Sequence, residues 1–223
     1  SGAAGEIVVE QPGAKEIEIS YQKIFRFIVE DLCGIKPVVN VSPTTSCKEV
    51  FLFTGKQGKT ALVGILPFPR LQNKTKISIS LPSFPGITTM YDVREKKQYK
   101  SGKKFEYIIN PDRTGLLAFM PYSVTKIVID GPKRCWQGGI FKFDGKIVTS
   151  SGIADGHVVR IQVFDSRNRE IPFWWRTICA DGNIFNVSLP VDLSMTYGQY
   201  KMVATDIISG VKGTTVFMIS NKK

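Results

Sequence analysis

From His157 to Ile219, apolar and polar residues alternate through one segment after another, with turn residues between them and no helical period. In His157-Val-Val-Arg-Ile-Gln-Val-Phe164, Val159, Ile161 and Val163 share one face and Arg160 and Gln162 the other, the period of two of a half-buried strand. Phe185, Val187 and Leu189 oppose Asn186 and Ser188, and Tyr200, Met202 and Ala204 alternate with Lys201, Val203 and Thr205. Asp165-Ser-Arg-Asn168, Asp181-Gly-Asn183, Tyr197-Gly198 and Ser209-Gly210 supply the turns. Such an array predicts antiparallel sheets packed face to face.

The same reading extends toward the N-terminus. Glu6 to Val9 reads as a short strand, and a helix is predicted from Tyr21 to Cys33. Ser20 would cap that helix, Tyr21, Ile24, Phe25, Ile28 and Leu32 would share a face, and Gly34 would end it. Beyond Pro37 the pattern is of strands only. They are predicted at Val38 to Val41, Glu49 to Phe53, Thr60 to Leu66, Lys76 to Leu81, Thr89 to Arg94, Lys104 to Ile109 and Gly115 to Met120. Thr60 to Leu66 is apolar on both faces and should be central. A second set is predicted at Thr125 to Ile129, Gly139 to Phe143, Lys146 to Ser150, His157 to Phe164, Pro172 to Ala180, Asn183 to Leu189, Gln199 to Asp206 and Lys212 to Ile219. That many short strands in about a hundred residues is the size of an immunoglobulin-like domain. The expected fold class is all-β: two antiparallel β-sandwich domains, preceded by a strand and one helix. The expected division is 1–35, 36–122 and 123–223, with a short junction near Pro121 to Ser123 that holds the sandwiches at a fixed angle.

At 223 residues and 43% hydrophobic, the chain has material for two cores. No apolar run approaches the about 20 residues of a membrane-spanning helix. Ser1-Gly-Ala-Ala-Gly5 lacks the basic start of a signal peptide, so a mature chain or an excised fragment is expected. The net charge of +11 raises the question of a polyanion. The dense basic cluster, Lys96, Lys97, Lys100, Lys103 and Lys104, flanks an expected turn from Gln98 to Gly102, where lysines commonly stay solvated and discourage edge pairing. Nucleic acid is therefore a weak expectation. The cysteines Cys33, Cys47, Cys135 and Cys179 have no metal-ligand spacing, and they read either as disulfide partners or as buried small hydrophobes. No metal site and no cofactor are expected.

Catalysis finds little support. Glycoside hydrolysis needs two carboxyl groups about 5 to 9.5 Å apart across a cleft. Asp92, Asp165, Asp181 and Asp206 fall instead at strand ends or turns, where aspartate favours local backbone bonds. His157 is the one histidine; beside Asp155-Gly156 it suits an ordinary edge residue, and no Gly-x-Ser-x-Gly supplies a nucleophile elbow. Binding is more open. Trp136, Trp174, Trp175 and Tyr91 are the aromatic candidates for stacking on sugar rings. In a strand Phe173-Trp-Trp-Arg176, Phe173 and Trp175 would point one way and Trp174 the other, one tryptophan being core. Trp136 is expected in a loop packed in the interdomain seam. The sequons at Asn40, Asn73 and Asn186 matter only where the source glycosylates, and Asn186 should face outward.

Several segments resemble a known family. Ile77-Ser-Ile-Ser-Leu-Pro82, Met90-Tyr-Asp-Val-Arg94 and Gly115-Leu-Leu-Ala-Phe-Met-Pro-Tyr122 are similar, in that order, to the C-terminal β-domain of bacterial β-galactosidase-type glycoside hydrolases. Gly156 to Phe164, Gly198 to Asp206 and Ser209-Gly-Val211 look like the immunoglobulin-like module at the tails of such proteins. The resemblance implies a non-catalytic tail, since that family's paired carboxylates belong to an upstream barrel. It implies that residues 1–35 close an upstream α/β domain, that the partner is the upstream catalytic domain or another subunit, and that the setting is extracytoplasmic. Two rival functions remain. One is a carbohydrate-binding module using Trp136, Trp174 or Tyr91; the other is a basic surface holding nucleic acid or another polyanion through Lys96 to Lys104.

Overall fold

The computed structural model describes residues 24, 27–28, 33–34, 39–43, 47–54, 60–69, 71–81, 86–100 and 104–221. Contacts divide the chain into two units, Ser1–Val38 and Val39–Lys223. In the first, Ile24, Phe27 and Ile28 are helical and the Cys33 N–H donates to the Ile28 carbonyl at 3.0 Å. The expected strand at Glu6 to Val9 and the rest of the expected helix lie outside the described residues.

The second unit is built of strands. They are β1 (Asn40–Ser42), β2 (Cys47–Thr54), β3 (Ala61–Pro67), β4 (Thr75–Ser80), β5 (Thr89–Asp92), β6 (Lys97–Lys100), β7 (Phe105–Ile109) and β8 (Gly115–Met120). After Pro121–Ser123 come β9 (Val124–Asp130), β10 (Arg134–Trp136), β11 (Ile140–Thr149), β12 (Val158–Phe164), β13 (Arg176–Cys179), β14 (Ile184–Pro190), β15 (Gly198–Asp206) and β16 (Lys212–Ser220). Sheets β1-β4-β7 and β2-β3-β8-β5-β6 belong to the first sandwich, and β14-β11-β9 and β10-β16-β15-β12-β13 to the second. All described pairs are antiparallel except β10 with β16. The alternation read from the sequence is the observed burial: Ile77 and Ile79 turn inward on β4, Val159, Ile161 and Val163 on β12, and Tyr200, Met202 and Ala204 on β15.

The five-stranded sheet of the first sandwich is apolar on both faces because both are covered. Ala61, Val63 and Ile65 of β3, Met90 of β5 and Leu117 and Phe119 of β8 enter the core of their own sandwich. The alternate residues, Leu62, Tyr91, Ala118 and Met120, join the hydrophobic cluster of the second sandwich instead. One continuous sheet is thus the wall between two cores.

Three local readings are corrected. The predicted break at Asp144-Gly145 is absent, and β11 runs straight through it. Gly145 pairs with Phe185 on one side and Ile129 on the other, and a Cβ there would stand 2.0 Å from the Phe185 ring. The glycine makes room for an aromatic ring and does not bend the chain. The strand expected from Pro172 begins instead with a single 3-10 turn, Pro172–Trp174, in which proline occupies the first turn where its missing N–H costs nothing. The turn expected at Gln98 to Gly102 falls one element early: β5 and β6 are joined at 93–96, and Gln98 and Tyr99 lie within β6. The expected outcome of Gly145→Val is a loss of about 1–3 kcal/mol, read by urea unfolding, because Phe185 has no free space to retreat into.

Candidate functional site

His157 is not an edge residue. It is buried where the two sandwiches meet, with its side chain fully enclosed together with that of Asp206. Antiparallel pairing of β12 with β15 sets Val159 opposite Asp206 and brings the residue before β12 alongside the turn after β15. His157 Nδ1 lies 2.8 Å from Asp206 Oδ1; a carboxylate only accepts, so this nitrogen carries the proton. The other ring nitrogen, Nε2, is 3.1 Å from the Tyr122 hydroxyl. Tyr122, from the link between β8 and β9, accepts the Asp155 N–H at 2.6 Å and lies 3.3 Å from the Asp155 carbonyl. Thr60 Oγ1, at the start of β3, donates to that same carbonyl at 3.1 Å. Both Ser209 N–H (2.7 Å) and Ser209 Oγ (2.5 Å) donate to Asp206 Oδ2.

Residues of the serine, histidine and aspartate types therefore meet, but in an order that performs no acyl transfer. A nucleophile must reach the imidazole, whereas Ser209 bonds the carboxylate and Tyr122 fills the imidazole's second nitrogen. What the arrangement does is join. Burial pushes the Asp206 carboxyl up, and the bonds and charge of His157 with the two bonds from Ser209 outweigh this, so its pKa lies below the usual carboxylate range. Burial pushes the Tyr122 phenol up, keeping it neutral and able to donate.

A second joint lies beside it. In the turn between β5 and β6, Asp92 Oδ1 accepts the N–H groups of Arg94 and Glu95 at 2.9 Å, and its Oδ2 accepts from Tyr107 at 3.0 Å. The bent turn presents Lys96, whose ammonium donates to the Ile207 carbonyl of the second sandwich. Burial lowers the Lys96 pKa, with Asp206 opposing that shift. Lys96 crosses Gly210, where φ is +75° and a Cβ would meet Lys96 Cβ at 2.7 Å. Lys96 is thereby removed from the polyanion candidates. Lys97 sits 5.0 Å from the Tyr99 ring centre, Lys104 is exposed, and the side chains of Lys100 and Lys103 lie outside the described residues.

The aromatic candidates divide sharply. Tyr91 is buried, and its hydroxyl accepts the Val124 N–H at 3.0 Å across the seam, so it offers no face to a sugar. Trp174 is wholly buried as well; its Nε1 donates to the Pro190 carbonyl at 2.7 Å and its ring meets Tyr200 and Phe217 edge-on. Trp136 is 39% exposed, but it does not lie in the seam. It pairs with Ser220, at the end of β16 remote from the Asp206 turn, and stands edge-on to Phe141 at 4.7 Å. Trp175, half exposed, is the available member of the Trp174-Trp175 pair, and the Arg160 guanidinium lies 5.8 Å from its ring. The 3-10 turn still sends Phe173 and Trp175 outward and Trp174 inward, as alternation required. Cys33, Cys135 and Cys179 are free thiols; burial pushes Cys135 up to about 11. Asn186 is exposed on β14. The sequence showed Asp206, Ser209 and Tyr122 as turn or strand-end residues; their convergence depends on strand register, which no local signal carries.

No protein-family model matches the chain. No curated protein matches it either. Similar solved structures include the CARDB domain of a Pyrococcus furiosus protein in complex with di-metal ions, with TM-score 0.34, 10% identity, and coverage of 45% of this chain and 96% of that one. A Listeria innocua β-glucosidase in complex with laminaribiose matches with TM-score 0.34 and 11% identity over 46% of this chain, which spans 16% of that protein. Trypsin-activated α-2-macroglobulin from Escherichia coli matches with TM-score 0.33 and 9% identity over 83% of this chain and 17% of its own. At such TM-scores none of these carries a family or an activity to this chain. Its class, an all-β protein of antiparallel sandwiches, rests on its own strand pairing.

His157→Ala should destabilise the fold by about 3–5 kcal/mol, since it leaves a buried carboxylate without its cation partner. Asp206 has a depressed folded pKa, so its contribution is complete above the unfolded carboxylate pKa and is lost as pH falls through the folded value. Thermal melting of the wild type should fall across that acid window. Asp206→Asn should start lower near neutrality and show a flatter dependence there; an unchanged slope would count against this role.

Proposed function

We propose that this chain is a non-catalytic β-sandwich region of a larger, glycoside-hydrolase-like protein, bracing its catalytic part or holding subunits together. The carrying observation is the seam. The one histidine and its aspartate are spent on fastening β3, the β8–β9 link and the β15–β16 turn to one another, with their side chains closed to solvent. A histidine–aspartate pair so enclosed resists bending between the sandwiches and offers no reacting atom to a substrate. The segments resembling the tail region of β-galactosidase-type hydrolases support the same reading.

Size-exclusion chromatography with light scattering, together with pull-down against the polypeptide encoded immediately upstream, tests this. Stable self-assembly or retention of the upstream part is expected. A strict monomer indifferent to that part overturns the bracing role.

A further inference from the structure

The outer face of the sheet β10-β16-β15-β12-β13 has a composition unlike the rest of the second sandwich. Its register sets Lys212, Thr205 and Arg160 in one cross-strand row, with Val216, Lys201 and Phe164 in another. Arg134 stands beside Met218 at the far end. Arg134, Arg160, Lys201 and Lys212 are all exposed, and no carboxylate occupies an outward paired position of these strands. Two of the cations already lie against rings: Arg160 is 5.8 Å from Trp175, and Lys201 is 5.3 Å from Phe164. The outer face of the opposing sheet contrasts with this, because there Asp130 and Asp144 sit opposite each other.

We propose that this face binds an anionic polysaccharide whose acidic groups are widely spaced. Four unbalanced cations require an anionic partner, and exposed aromatic surface between them suits the apolar faces of sugar rings. Spacing selects among polyanions. Lys212 and Arg160 are separated by two strand intervals, about 10 Å, and Lys201 lies four residues along from their row, about 13 Å. A nucleic acid carries one charge per about 3.4 Å of each strand and would find most of its phosphates unmatched. A polysaccharide with one carboxylate on every other sugar meets the sparser lattice and lays its uncharged rings over Trp175 and Phe164. This inference goes beyond the bracing role and does not depend on it.

Isothermal calorimetry of the full chain with hyaluronan oligosaccharides, dextran and oligothymidylate tests the assignment. Hyaluronan should bind and should weaken several-fold between about 50 and about 200 mM salt. Arg160→Gln with Trp175→Ala should lower the affinity about tenfold, and Lys146→Gln on the other sheet should leave it unchanged. Lys201→Glu with Lys212→Glu, which alters only exposed strand positions, should abolish binding and covers the case in which the first pair loosens β13. The proposal is overturned by no hyaluronan binding at about 50 mM salt, by equal binding of dextran, by tighter binding of oligothymidylate, or by unchanged affinity in the charge-reversed variant with an unaltered melting curve.

Discussion

The architecture depends on one sheet with no solvent-facing side. In a free-standing sandwich the outer face of β3, β5 and β8 would be wetted, and its residues would alternate cleanly with the core. Here Leu62, Tyr91, Ala118 and Met120 are apolar because the second sandwich covers them. The hydrophobic effect does not distinguish one docking angle from another over such a surface, since it is proportional to area and has no direction. Polar groups must set the angle.

They do so at the rim of that contact. The Tyr91 hydroxyl accepts the first N–H of β9, and Lys96 reaches the Ile207 carbonyl. The chain from Thr60 through Asp155, Tyr122 and His157 to Asp206 and Ser209 is bonded at each step. A buried polar group left without a partner costs about 1–3 kcal/mol, so any docking that breaks this chain is penalised at several points together. The apolar surface supplies affinity between the sandwiches, and the polar chain supplies their orientation.

The sequence made the strands legible and left their meetings hidden. Period-two alternation located β4, β12, β14, β15 and β16 because each has one wet and one dry face. Where that contrast fails, reading fails with it. Gly145 resembled a turn because its function, giving way to the Phe185 ring, concerns a residue forty positions distant. Proline at 172 opened a short helical turn where a strand was expected, yet the inward tryptophan was still one of the adjacent pair. His157 looked like an edge residue because burial of an imidazole is decided by Tyr122 and Asp206, which only tertiary structure places beside it.

The shared wall constrains how the two halves can be inherited. A gene rearrangement that retained the first sandwich and discarded the second would leave Tyr91, Ala118 and Met120 as bare greasy skin, inviting aggregation. Recombination breakpoints between Pro121 and Ser123 are therefore selected against even though the link is short and superficially separable. The pair travels through evolution as one indivisible cassette.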